Sequence, residues 1–375
     1  MTTGRVVVVK EYREPFVIEE YELPDPEPGG LVLKITQAGI CGSDLHTWRG
    51  DQVNVPLPES GRVMGHEGTG VVYQLGKGTM TDSNGVPLRE GDRVMYYALR
   101  PCNSCYQCMR GESNWCPAGP YANAGDWPYF TGTYADFYWI RANHPVFKVP
   151  DELPDSVLGW VNCAMGTVTE GLLRAGAAEG DYVVIQGAGG LGLNATAMAK
   201  DMGAHRVIVL DRLADRLALA EEFGADHTIN IEEYDTPEAR LERVLQLTDG
   251  RGANIAMELV GRAELLVEGV SYLTNGGTFV EIGDIVRGRT VEFDPSTILR
   301  GKKIMGSLMY RPHLLPLMME TLVKNLGKVP YDRIVSNVYP LEHVNEAFAE
   351  AEWHERQTAV SRGMLVPLGL SLIHI

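Results

Sequence analysis

Four of the six cysteines crowd together as Cys102-x2-Cys105-x2-Cys108-x7-Cys116. Four thiolates at this spacing supply a complete tetrahedral shell for zinc. An iron–sulfur centre is the competing chemistry, because cysteines two apart and a final Cys116-Pro117 echo ferredoxin runs. In those runs the last gap is three residues rather than seven, and here there is one cluster only. A closed, structural zinc that ties a lobe together is the reading; coincidental buried thiols are the bland one.

The other cysteines, Cys41 and Cys163, form a second set with His66. Alone, each has an ordinary explanation as a small buried thiol or a satisfied core histidine. Their surroundings change that. Cys41 lies in Gly39-Ile-Cys-Gly-Ser43-Asp-Leu-His46, and His66 in Gly65-His-Glu67-Gly-x-Gly70. One histidine and two cysteines leave the fourth position of a zinc open to water or substrate, which is the catalytic arrangement.

A third constellation is Gly187-Ala-Gly189-Gly190-Leu-Gly192, after an apolar run and before a helical stretch, with Asp211 19 residues beyond Gly192. This is the fingerprint of a dinucleotide site. The glycines admit a pyrophosphate to backbone N–H groups at a helix N-terminus. The Asp211 carboxylate suits ribose hydroxyls and repels a 2′-phosphate, favouring NAD over NADP. The adjacent Arg212 pulls the other way, since it can partner a phosphate.

The elements that must position these residues fall into two rhythms. Up to about residue 155, short apolar runs (Arg5–Lys10, Leu31–Gln37, Gly68–Leu75, Asp92–Tyr97, Tyr134–Ile140) alternate with Gly and Pro, which predicts a β-rich, barrel-like domain. Asn84-Gly85 marks a hairpin or surface loop. After Pro154, strands at Tyr182–Gln186, Arg206–Asp211, Asp226–Asn230, Ala253–Val260 and Gly277–Ile282 alternate with a helical stretch after the glycines to about Met202 and with helices at about Leu213–Phe223, Pro237–Leu247 and Ala263–Ser271. Such alternation predicts an α/β unit with a parallel sheet covered on both faces. Helices near Pro312–Leu326 and Leu341–Glu352 and a strand near Thr358–Val366 follow. The last six residues complete no pattern.

Composition narrows the classes. A chain of 375 residues suggests two domains, or three at most. Lys and Arg total 33 against 49 Asp and Glu, a net charge of -16, which argues against nucleic-acid binding. No apolar run is long enough to span a bilayer, and the N-terminus does not read as a secretory signal. A reducing, cytoplasmic setting is therefore expected, with the cysteines as ligands or thiols rather than disulfides.

These motifs together resemble the zinc-dependent medium-chain alcohol dehydrogenase family. Nearly the whole chain carries the resemblance: the Cys41 segment, Gly65-His-Glu, Gly91-Asp92-Arg93-Val94, the four-cysteine lobe and the glycine fingerprint, in that order. It implies a GroES-like catalytic domain over 1–155, completed by 306–375, and a Rossmann doubly wound parallel-sheet domain over 156–305. It implies two zincs per chain and NAD, a small-molecule alcohol and its aldehyde or ketone as substrates, and a homodimer or homotetramer.

By the same resemblance Cys41, His66 and Cys163 match the catalytic zinc ligands, and Glu67 a carboxylate beside the metal that can become an alternate ligand. Cys163 is the variable position, where polyol-type relatives carry a carboxylate. Ser43 takes the alcohol proton, which passes by the nicotinamide ribose to His46 and then to solvent. Thr167, Val260 and Ile282-Gly283 approach the nicotinamide, and Arg362 the pyrophosphate. Trp48, Tyr96, Tyr97, Trp127, Tyr129 and Phe130 fall where the family builds its substrate pocket, and equally where a β-domain core needs aromatics. A polyol or amino-alcohol dehydrogenase and a non-catalytic nucleotide-binding relative are the alternatives.

Overall fold

The apolar runs of the first half pair as antiparallel strands around Leu31–Gly39. In this computed structural model, which describes residues 1–51, 57–117, 129–283, 285–352 and 362–367, that strand sits between Gly363–Val366 and Thr69–Leu75 and also pairs with Phe137–Ile140. The sheet continues through Arg93–Tyr96 to Val146–Lys148 on one side and to Asn337–Pro340 on the other. Its inward side chains, among them Leu33, Ile35, Val72, Val94 and Tyr138, make one buried cluster. A smaller sheet of Val17–Glu22, Thr3–Val9 and Arg62–Val63 adds to the same unit. The Asn84-Gly85 stretch is a turn closed by Asp82 N donating to Val86 O at 2.8 Å.

In the second half a parallel sheet runs in the order His227–Asn230, Arg206–Asp211, Tyr182–Gln186, Ala253–Glu258, Leu273–Glu281, Lys303–Gly306. Tyr182–Gln186 is buried along its whole length, as a strand covered on both faces must be. The order reverses direction between Tyr182–Gln186 and Ala253–Glu258, and ligands of open α/β sheets bind at such a switch point. Helices Gly190–Asp201, Ala214–Glu222, Pro237–Leu247 and Glu264–Tyr272 connect the strands. Pro237–Leu247 begins with Pro at its first position and Thr236 Oγ1 accepting from Ala239 N at 3.1 Å, a standard helix start.

The chain divides into one unit of residues 1–163, 311–326 and 335–375 and another of 164–310 and 327–334. The expected first boundary lay at 155. The fully buried Leu158, Trp160 and Val161, and Gly159 beside Met364 and Gln37, explain why the following residues stay with the first unit. Among the described residues no helix is long and apolar enough to cross a membrane.

Candidate metal centres and nucleotide site

Cys41 lies two residues past the strand Leu31–Gly39 and caps the helix Gly42–Arg49; His66 and Glu67 precede Thr69–Leu75; Cys163 lies in a π-helical turn, Val161–Met165. Single π turns often accompany functional sites. Together they bring one ligand atom each of Cys41, His66, Glu67 and Cys163 within 4.8 Å of one another. His66 Nε2 is 3.3 Å from Cys163 Sγ, and its Nδ1 is 3.4 Å from Asp44 Oδ1. Asn162 holds the segment in place: its Oδ1 accepts from Gly68 N at 3.1 Å and its Nδ2 donates to His66 O at 3.3 Å.

Burial and close packing displace the ionisation of all four groups. The hydrogen bond from Cys163, with His66 beside it, brings Cys41 well below the ordinary thiol range, whereas the same bond and burial push Cys163 up. Burial works to lower His66, but Asp44 and Cys41 outweigh it and raise its pKa. Burial pushes Glu67 up to about 7 although Arg362 pairs with it. Glu67 Oε1 is buried without a hydrogen-bond partner among the described residues. An orphaned carboxylate oxygen beside two thiols and an imidazole fits zinc chemistry.

Cys102, Cys105, Cys108 and Cys116 likewise converge within 4.8 Å. Cys105 and Cys116 sulfurs are 3.9 Å apart and Cys116 and Cys102 sulfurs 3.6 Å. Two thiolates on a tetrahedral zinc with Zn–S of about 2.3 Å lie about 3.8 Å apart. These two spacings bracket that value. Backbone N–H groups of Ser104 and Cys105 bring Cys102 down to about 6, toward the thiolate a metal needs. All six cysteines are free.

In the second unit, the chain leaves Tyr182–Gln186 at Gly187, whose φ of 102° is left-handed. Gly189 caps the helix that starts at Gly190. A Cβ on Gly192 would stand 1.9 Å from Gly187 O, so this close approach admits glycine only. Asp211, at the end of its strand, accepts from Ala188 N at 2.8 Å and from Leu213 N at 3.0 Å. Val260 packs against Gly187, and Ile282 against Gly171 in the helix Gly166–Ala175 that also carries the buried Thr167.

Other expected residues have more particular positions. Ser43 and His46 share the helix Gly42–Arg49; His46 is buried, with Nδ1 2.8 Å from Asp51 Oδ2. Arg362 has its guanidinium on Glu67, beside the first metal cluster, rather than being held out for a phosphate. Tyr96, Tyr97 and Phe130 are fully buried. Trp48 packs with Phe16 and Phe348, and Tyr129 stacks on Tyr21 at 3.5 Å. Trp127, like the last six residues, lies outside the described residues. Asp44, Tyr134, Asn162 and Asp51 are the neighbours of the site that sequence reasoning missed.

Two family models match the chain: an alcohol dehydrogenase GroES-like domain over residues 27–151 and a zinc-binding dehydrogenase over residues 190–324. A 5-exo-hydroxycamphor dehydrogenase of Pseudomonas putida is 30% identical over 354 residues, 92% of this chain and 95% of its own. An alcohol dehydrogenase structure from Thermotoga maritima superposes with a TM-score of 0.88 at 29% identity, over 98% of this chain and 100% of its own. One from Thermus sp. ATN1 gives a TM-score of 0.79 at 26% identity, over 96% and 99%. With both metal sets, the glycine turn and both domain models matched along one chain, this protein belongs to the zinc-type alcohol dehydrogenases of the medium-chain dehydrogenase family.

Proposed function

We propose that the protein is an NAD-dependent oxidoreductase, holding two zincs per chain, that interconverts an alcohol and its aldehyde or ketone. The observation that carries the reading is the convergence of Cys41, His66, Glu67 and Cys163 donor atoms within 4.8 Å. Cys41, His66 and Cys163 would hold the catalytic ion, with Glu67 as alternate ligand. A zinc bound there supplies Lewis acidity that lowers the pKa of a hydroxyl by several units. The cysteines at 102, 105, 108 and 116 would hold the structural ion.

The chain's own groups then have separate tasks. Ser43 would accept the hydroxyl proton of the alcohol, and His46, one helical turn on in Gly42–Arg49, would carry it away. Asp51 Oδ2, 2.8 Å from His46 Nδ1, orients the imidazole and supports the tautomer with its proton on Nδ1. The Gly187–Gly192 turn binds the pyrophosphate at the N-terminus of Gly190–Asp201. Asp211 takes the adenosine ribose, with Arg212 beside it, and Thr167, Val260 and Ile282 line the nicotinamide.

Turnover tests the proposal. A panel of primary, secondary, aryl and polyol substrates, read by NADH absorbance, should find oxidation by the wild type. Cys41→Ala and His66→Ala should both abolish it while the protein stays folded. Full activity in Cys41→Ala would end the zinc mechanism.

A further inference from the structure

Tyr134 touches both segments that bring ligands to the catalytic metal set. Its backbone N donates to Met64 O at 3.1 Å, and Thr133 N to Gly65 O at 3.1 Å, so this stretch lies along the approach to His66. Its ring packs on Gly65: a Cβ there would stand 2.6 Å from Tyr134 Cδ1. At the far end of the ring the hydroxyl is 2.7 Å from Asp44 Oδ2 and 3.2 Å from Gly39 O. The single proton goes to the nearer carboxylate. That oxygen also accepts from Cys41 N at 3.0 Å, whereas Oδ1 of the same carboxylate faces His66 Nδ1 at 3.4 Å.

We propose that Tyr134 is a positioning residue for the metal, acting through Asp44 on His66. The inference rests on the reading of Cys41, His66 and Cys163 as a zinc shell. With Oδ2 occupied by two donors, the carboxylate cannot turn, and Oδ1 stays on the imidazole. Nδ1–H then points to Asp44, and Nε2, 3.3 Å from Cys163 Sγ, is the nitrogen left for a metal. Tyr134 is fully buried and Asp44 nearly so, so water does not replace a lost hydroxyl. Sequence spacing hides this link, because Tyr134 and Asp44 are 90 positions apart.

Tyr134→Phe removes the hydroxyl and keeps the ring on Gly65. Partners behind a ligating histidine are worth about 10–100-fold in metal affinity, and one further removed belongs at the low end. A chelator should therefore strip cobalt or zinc from the Cys41 set about tenfold faster than in the wild type. The visible absorption bands of the cobalt-loaded site should shift, while metal at the four-cysteine lobe is retained. In an Asp44→Asn background, where the carboxylate is already gone, Tyr134→Phe should add nothing. Unchanged stripping and unchanged bands in Tyr134→Phe would overturn the inference, as would a full additional loss in the double variant. Cobalt bands that are absent from the wild type, or unaltered by Cys41→Ala, would instead bring down the zinc reading beneath it.

Discussion

Asp211 is where cofactor choice turns at the scale of a single residue. Its carboxylate is fixed by Ala188 N and Leu213 N, so it cannot swing away from a 2′-phosphate placed against it. Asp211→Ser should raise the relative efficiency with NADP at least tenfold, about 1.4 kcal/mol, since Arg212 then meets the phosphate unopposed. Kinetics with both cofactors check this, and a wild type that already prefers NADP contradicts it. His46 is the second such residue. Buried against Asp51, it is placed to hold a proton rather than to face solvent. His46→Gln should slow alcohol oxidation near neutral pH by about tenfold, below the roughly 10²–10⁴-fold range of general bases that act on the substrate itself, with zinc content and NAD affinity unchanged. Equal rates across the neutral range would reduce His46 to a packing group. The four-cysteine lobe and the glycines were legible in the sequence because their spacing is local; Cys41, His66 and Cys163 are scattered and stood out only through the motifs around them. Asp51, Asn162 and Tyr134 carry no such signal, and the partner of Arg362 is 295 positions away.

Among the elements, the parallel strands were the most readable. Tyr182–Gln186 and Arg206–Asp211 have the expected ends because continuous apolar runs stop at glycine or charge, and the helix Pro237–Leu247 because Thr236-Pro237 marks its start. The helix Gly42–Arg49, which carries Ser43 and His46, had no periodic apolar face to announce it. Gly166–Ala175 was hidden for another reason: it is buried over most of its length and mixes glycine with Thr and Val. The strand Val146–Lys148 depends on a loop whose chemistry is testable. There His144 Nε2 donates to Tyr97 O at 2.7 Å, and Tyr97 N to Pro145 O at 2.9 Å. Burial, then Arg100, push His144 down to about 4 despite that hydrogen bond. Its unfolded imidazole takes up a proton below about pH 6.5 and the folded one only near 4. The contribution to stability is thus complete above about 6.5 and lost as pH falls toward 4, at up to about 1.4 kcal/mol per pH unit. His144→Gln keeps a donor for Tyr97 O, and its denaturation midpoint should fall less steeply over that window. Identical slopes for variant and wild type would show that His144 titrates normally.

Over the whole molecule, chemistry is divided between the two units: one carries both metal sets, the other the glycine turn and Asp211. The change of rhythm after Pro154 was visible in the sequence. The return of residues 335–375 to the first unit was not written in any local pattern, since it depends on Met364 pairing with Gly39. The two metal sets should also differ in kind. An ion at the four-cysteine lobe contributes folding free energy directly, whereas one at Cys41, His66 and Cys163 serves chemistry. Zinc analysis of purified protein, with a thermal melt on the same samples, tests this most directly. The account predicts two zincs per wild-type chain, one in Cys41→Ala with the melt nearly unchanged, and a melt lower by about 5 °C or more in Cys105→Ser. A wild type purified with fewer than two zincs, or Cys41→Ala retaining two, would contradict it.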